Sequence, residues 1–312
     1  MDILYNLIMA TFRQTTPILL AATGGVYSDR SGLANITLEA SMIMGAFFAV
    51  YGSYTYGSSA VGILFGLIAG VVTGVLFALI CLYMGGNNVV VGISFNLIAW
   101  GLTTFLLLAI YGTTGSFVSR KIVSMPKYTV PVLSGLPVIG GLFKSQTIVA
   151  YFSVLFVVIT WFILFRTKEG MKIRACGENP QAAAAVGYDV RKIQFLCSVI
   201  TSTACGLAGA HLSLGLVTLF AEKMTAGKGF IALAVVTFGG GSLWKVMAIS
   251  GLFGLADAVS VVLKRYDYPS FLIQMIPYLA SLLGLAVSLK KNSSAVGIAA
   301  SGKPYTKFVQ QR

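Results

Sequence analysis

The 312 residues carry 22 lysines and arginines against 9 aspartates and glutamates, a net charge of +13, yet only 10% of the chain is charged at all. Hydrophobic residues make up 57% and the mean hydropathy is +0.87, whereas about a quarter of a soluble globular chain is charged. That composition excludes a sizeable soluble domain. It also argues against nucleic acid as a partner, because the basic residues lie between apolar runs and at the tail, where the positive-inside bias puts them.

In chain order, the runs that can cross a bilayer, at about 20 residues per helix, are 36–56, 60–84, 89–111, 147–165, 193–216, 246–263 and 270–289. Two segments are ambiguous. Residues 15–26 are short and are entered from an interfacial helix over 3–14. Residues 229–241 are short for a crossing and form either a tilted helix or part of a broken one. No cleavable signal peptide is expected, since Asp2 stands in place of a basic start and Arg13 interrupts the apolar stretch. Continuously apolar runs exclude alternating barrel strands. The expected fold is all-α: a polytopic membrane bundle of about eight to ten transmembrane helices, with one membrane domain over 1–289 and a basic tail over 290–312.

An internal repeat is visible. LFGLIAGVV (64–72) aligns with LFGLADAVS (252–260), and GAFFAVYGS (45–53) with ALAVVTFGG (232–240). The pseudo-repeats cover about 15–111 and 193–289, and an odd number of crossings between them inverts one against the other. The four cysteines, Cys81, Cys176, Cys197 and Cys205, contain no CxxC pair and read as buried small hydrophobes.

Charge sets the expected orientation. Arg166, Lys168, Lys172, Arg174, Arg191 and Lys192 crowd the loop 166–192, and Lys290, Lys291, Lys303, Lys307 and Arg312 crowd the tail, so both are expected to be cytoplasmic. That parity requires 229–241 to count as a crossing.

The loop has a readable helix. Asn179 is a good N-cap, Pro180 suits the first helical position, residues 181–186 favour helix, and Gly187 can close it left-handed. Glu178 complements the positive helix end. Ala183 and Ala184, on an exposed two-turn helix, are expected to bury nothing of their own and to dock into a groove on another protein.

GMKIRACGENPQAAAAVGY (170–188) resembles the cytoplasmic coupling segment of ABC-importer permeases for ribose, branched-chain amino acids and nucleosides. SDRSGLANITLEASMIMGAF (28–47) and GKGFIALAVVTFGGGSLWKVMAISGLFG (227–254) resemble that family's N- and C-terminal signatures, and GGNNVVVGISFNLIA (85–99) its nucleoside branch. Trp244-Lys245 departs from the pattern, where relatives carry a proline and a small residue. The resemblance implies that Arg174, Gly177, Glu178, Asn179, Pro180, Ala183, Ala184 and Gly187 contact an ATPase subunit. It further implies a second, different permease chain, an extracellular substrate-binding lipoprotein and a nucleoside or related sugar-containing solute. ATP and Mg would sit on the partner ATPase and no cofactor on this chain, which has no GxxxxGK[ST] loop and no catalytic or metal-ligating set.

Path candidates are polar or aromatic groups at membrane depth: Asn35, Glu39, Ser94, Asn96, Phe238 and Asp257. Glu39 reads equally as a helix-start charge. Asn96 reads as a helix-to-helix hydrogen bond or as a path contact. The glycines after Phe238 permit a break or a plain tight turn. His211, the one histidine, has no second ligand to make a metal site. An ion-coupled secondary transporter is the competing function, although such proteins usually show acidic clusters and here Asp257 is nearly alone.

Overall fold

The computed structural model describes residues 2–129 and 145–263. The expected span 270–289, the basic tail and Lys144 lie outside the described residues. Ten α-helices and four two-residue strands organise the rest.

The first helix corrects the expectation of two pieces. α1 (Asp2–Arg30) runs unbroken through Pro17. The proline removes one N–H, but Thr15 and Thr16 turn their hydroxyls back onto the carbonyls of Thr11 and Phe12, and neighbouring helices enclose the region. At 29 residues it is about 43 Å long.

α2 (Leu38–Tyr56), α3 (Ser59–Leu82) and α4 (Asn88–Tyr111) follow. α5 (Ile148–Arg166) leads into two short helices, α6 (Lys168–Glu178) and α7 (Pro180–Ala185). α8 (Val190–Ala210) continues as a π-helix over His211–Val217. α9 (Lys228–Gly239) and α10 (Leu243–Leu263) complete the described chain. Two small antiparallel ladders, Ser116–Phe117 with Phe220–Ala221 and Lys127–Tyr128 with Gln146–Thr147, cover the end of the bundle opposite α6 and α7.

Among the described residues, five helices are long and apolar enough to cross a membrane: α3, α4, α5, α8 with its π-helical extension, and α10. α1 and α2 fail that test for a physical reason. They form the centre of the bundle, and their buried faces carry Thr15, Thr16, Thr23, Ser28, Glu39 and Ser41. α3, α4 and α5 turn Leu64, Ile68, Leu97, Phe105, Leu155 and Phe162 outward. All four cysteines are buried and free.

α8 packs chiefly on α3 and α2, and α1 on α10. The first contact is backbone against backbone: a Cβ on Gly206 would overlap the Gly66 carbonyl oxygen, and one on Gly209 the Met42 carbonyl oxygen. The segments aligned in sequence, 45–53 with 232–240 and 64–72 with 252–260, fall on α2 with α9 and on α3 with α10.

This close approach makes a prediction. Gly206→Leu should destabilise the protein by about 1–3 kcal/mol or more, read as a fall in the melting temperature of the detergent-solubilised protein. Gly251→Leu, where nothing lies within 4 Å of the added carbon, should leave it unchanged.

Candidate functional site

The centre of the bundle is built from two helices that start inside it. After α1 ends, residues 33–36 run without regular structure before α2 begins at Leu38. Irregular backbone at this depth must have its polar groups satisfied by side chains. Gln194 donates to the Ser31 carbonyl at 3.0 Å. Asn96 donates to the Ile36 carbonyl at 3.1 Å and accepts from the Ala40 N–H at 2.8 Å. Asn35 donates to Ser202 Oγ at 3.2 Å and accepts from the Thr37 N–H at 2.9 Å.

The second start faces the first. Glu39, in the first turn of α2 and 1% exposed, accepts from the Thr225 hydroxyl, from the Gly227 N–H at 3.1 Å and from the Gly229 N–H at 2.7 Å. Gly227 is the N-cap of α9. The carboxylate therefore supplies the acceptors that the first N–H groups of α9 lack, against its positive dipole end. Gly229 lies so close to the Glu39 backbone that no side chain fits there. α2 runs from this point towards the capped end, where Ser53 donates to the Val123 carbonyl at 3.0 Å. α9 runs the other way, and Arg30 donates to the Gly240 carbonyl at 3.3 Å.

Of the path candidates, Asn35, Glu39 and Asn96 thus come together, with their hydrogen-bonding groups engaged inside the fold. Ser94 does not join them. Two residues along a helix are about 200° apart, so Ser94 is exposed on the outer face of α4 and bonds its own Val90 carbonyl at 2.9 Å. Phe238 is half-buried near the end of α9. The glycines after it make the tight turn, with φ of +55° at Gly240 and +74° at Gly241. Asp257 is held by Lys228, the first residue of α9, in an ion pair whose side chains are both 13% exposed.

Lys228, Thr225, Gln194 and Ser202 were missed by sequence reasoning. The available signal was the polar stretch 222–228 between apolar runs, which holds the donors that a buried Glu39 requires. His211 bonds Thr147 at 3.2 Å and is buried at the start of the π-helix.

At the other end, the loop helix forms with the expected ends. Asn179 accepts from the Ala182 N–H at 3.0 Å. Gly187 has φ +96°, and Tyr188 N–H and Gly187 N–H reach the Ala183 and Ala184 carbonyls at 3.1 and 3.0 Å. Its outward face differs from the expectation. Ala183 is 5% exposed in a small core with Cys176 and Val190, and Ala184 is half-buried against it. The helical phase instead exposes Gln181, Ala182, Ala185 and Val186, with Val186 74% exposed. Glu178 and Asn179 are exposed beside this face, and Pro180 is partly so. Arg174 is turned inward, 5.3 Å from the Phe165 ring centre. Gly177 is buried against the Arg30 carbonyl and Gly32, which ties α6 to the segment leading to Glu39.

Residues 7–289 match the family described as the permease component of the branched-chain amino acid transport system. The chain belongs to this permease family. Members are transport subunits rather than enzymes. The nucleoside ABC transporter permease protein NupC of Lactococcus lactis subsp. cremoris is 33% identical over 304 residues, covering 94% of each chain. The guanosine ABC transporter permease protein NupQ of Bacillus subtilis is 33% identical over 319 residues, 98% of each. A permease protein of Haloferax volcanii named for glucose transport is 33% identical over 260 residues, 82% of this chain and 77% of its own. No solved structure matches significantly.

Two measurements check the site. Glu39→Ala leaves three donors of the permease unpaired, each costing about 1–3 kcal/mol, so deuterium uptake over 225–230 should rise while that over 170–190 stays unchanged. Burial, followed by the charge of Asp189, pushes the Cys176 thiol up. Cys176 should therefore alkylate far more slowly at neutral pH than a cysteine introduced by Val186→Cys.

Proposed function

We propose that this permease forms the translocation path for a nucleoside, powered by a separate ATPase that docks on the outward face of α7. The observation that carries the reading is the mounting of that helix. One face of α7 is packed on α6 and α8 through Ala183, Cys176 and Val190, so the helix cannot tilt freely. The other presents small and apolar side chains with no partner of their own, flanked by Glu178 and Asn179, which suits insertion into a groove.

Force applied at α7 reaches the bundle centre through short steps. α6 bears on Arg30 and Gly32 through Gly177, and residues 31–36 lead to Asn35, Asn96 and Glu39. Helices that start in the bundle interior and meet there by their N-termini, as α2 and the short α9 do, are an arrangement akin to the broken helices of transport sites. Lys228 and Asp257, paired beside that junction, extend the polar centre towards the path. ATP-driven closure of the partner would shift this junction and switch access between the two sides.

The nucleoside assignment is supported by the names of the relatives with the fullest coverage. The remaining partners in this reading are a second permease of different sequence and an extracellular substrate-binding lipoprotein. The loop end and the basic tail face the cytoplasm of a cell-membrane protein. ATP and Mg belong to the ATPase, and this chain binds no cofactor.

Val186→Glu with Ala182→Glu should abolish co-purification of the ATPase and ATP-dependent uptake, with membrane insertion intact. Normal uptake in that variant would overturn the docking assignment. Uptake of labelled guanosine by the complete transporter, competed by unlabelled nucleosides but not by glucose, tests the substrate. The reverse competition would assign it to sugars.

A further inference from the structure

An unexplained cation sits where none is expected. Lys223 is exposed, and its ammonium stands 5.5 Å from the centre of the Trp100 ring. Trp100 is the thirteenth residue of the 24-residue helix α4, about 18 Å from its start, so the cation lies near mid-span. From there neither end of the helix is within reach of a lysine side chain, and an exposed charge at that depth faces a wet cavity or an opposite charge. No described acidic residue is paired with it.

The backbone around it is strained as well. Lys223 has φ +54° and Ala226 +47°, with Thr218 at +55°. Non-glycine residues held left-handed cluster at functional sites, and these three fall within the segment that leads from the π-helix down to Glu39. The Trp100 indole N–H is shielded from solvent and has no hydrogen-bond partner among the described residues. A structural cation–π contact would account for the ring, but not for the strain or the unpaired N–H.

We propose that Trp100 and Lys223 form a nucleobase-binding station in the path, above the Glu39 junction. This rests on the nucleoside reading given above. The indole face stacks the base, and the ammonium, which stands over that face, moves to the base edge and donates to its carbonyl or ring nitrogen. Stacking tolerates every base because each has a π-face, so this station favours nucleosides over free sugars without choosing one base by hydrogen-bond pattern alone.

The test uses the complete transporter (this chain, its partner permease, the ATPase and the binding protein) in proteoliposomes with the binding protein saturating. Uptake of labelled guanosine, uridine and glucose is measured for wild type, Trp100→Leu, Trp100→Phe, Lys223→Met and Lys223→Arg. Trp100→Leu should cut guanosine uptake about tenfold and uridine uptake less, because the smaller ring stacks less area. Lys223→Met should also lower guanosine uptake, and Trp100→Phe and Lys223→Arg should each recover most of the corresponding loss. Lys223→Cys should be modified by a hydrophilic thiol reagent, and guanosine should protect it. Equal loss for both nucleosides, or loss of the assembled complex in Lys223→Met, would overturn the station in favour of a structural or partner-subunit contact. So would a Lys223→Cys that does not label. Wild type that imports glucose and not nucleosides would overturn the nucleoside reading itself, an outcome visible before any variant is compared.

Discussion

A carboxylate enclosed by apolar helices must be met by donors, and Glu39 is met by the open end of another helix. An isolated buried carboxylate would shed its charge instead. The first N–H groups of α9, left in an apolar interior, would each cost as much as a lost hydrogen bond. Bringing the two together removes both penalties. Because of that contact, α9 can begin inside the bundle at only 12 residues, a length that no free-standing crossing would tolerate. Asn96 and Asn35 do the same for the start of α2, using side chains from α4 and from the segment itself.

The consequence is a centre made of joints rather than continuous rods. α1, α3, α4 and α8 run through the bundle, while α2 and α9 start within it and leave in opposite directions. The through-going helices are held by backbone-close contacts, as where Gly206 of α8 meets Gly66 of α3, and a shift of one helix there has no slack to absorb it. The joints are held by hydrogen bonds, which can exchange partners. In the proposed coupling, motion entering at α7 through Gly177 and Gly32 would find its compliance at residues 31–39 and 222–229. The strained left-handed residues of the second segment mark the same region.

Much of the loop end was legible because its signals are local. Asn179, Pro180 and Gly187 specify a helix and both its ends within nine residues, and each does so through its own backbone preference. The span positions were legible for the same kind of reason, since continuous apolar runs of about 20 residues have few alternatives. The outward face of α7 was misread because four consecutive alanines carry no amphipathic pattern. Only the packing of Cys176 and Val190 decides that Ala183 points inward. The interfacial helix expected over 3–14 and the short segment 15–26 are one continuous helix, because the polar groups along it are met by its own threonines and by the enclosing helices. Ser94 and Asn96 looked like one polar patch in sequence, and helical phase puts them on opposite faces.

The sequence by itself determined a membrane bundle, its principal spans and a capped helix in a basic loop, because composition, run length and capping act over short distances. It also marked Glu39 and Asp257 as costly charges. Only the tertiary structure decided what answers them. Glu39 meets residues 225–229 and Asp257 meets Lys228, pairings separated by up to 190 positions. Which donor reaches a buried acid depends on where two helices stop in space, and no local pattern records that.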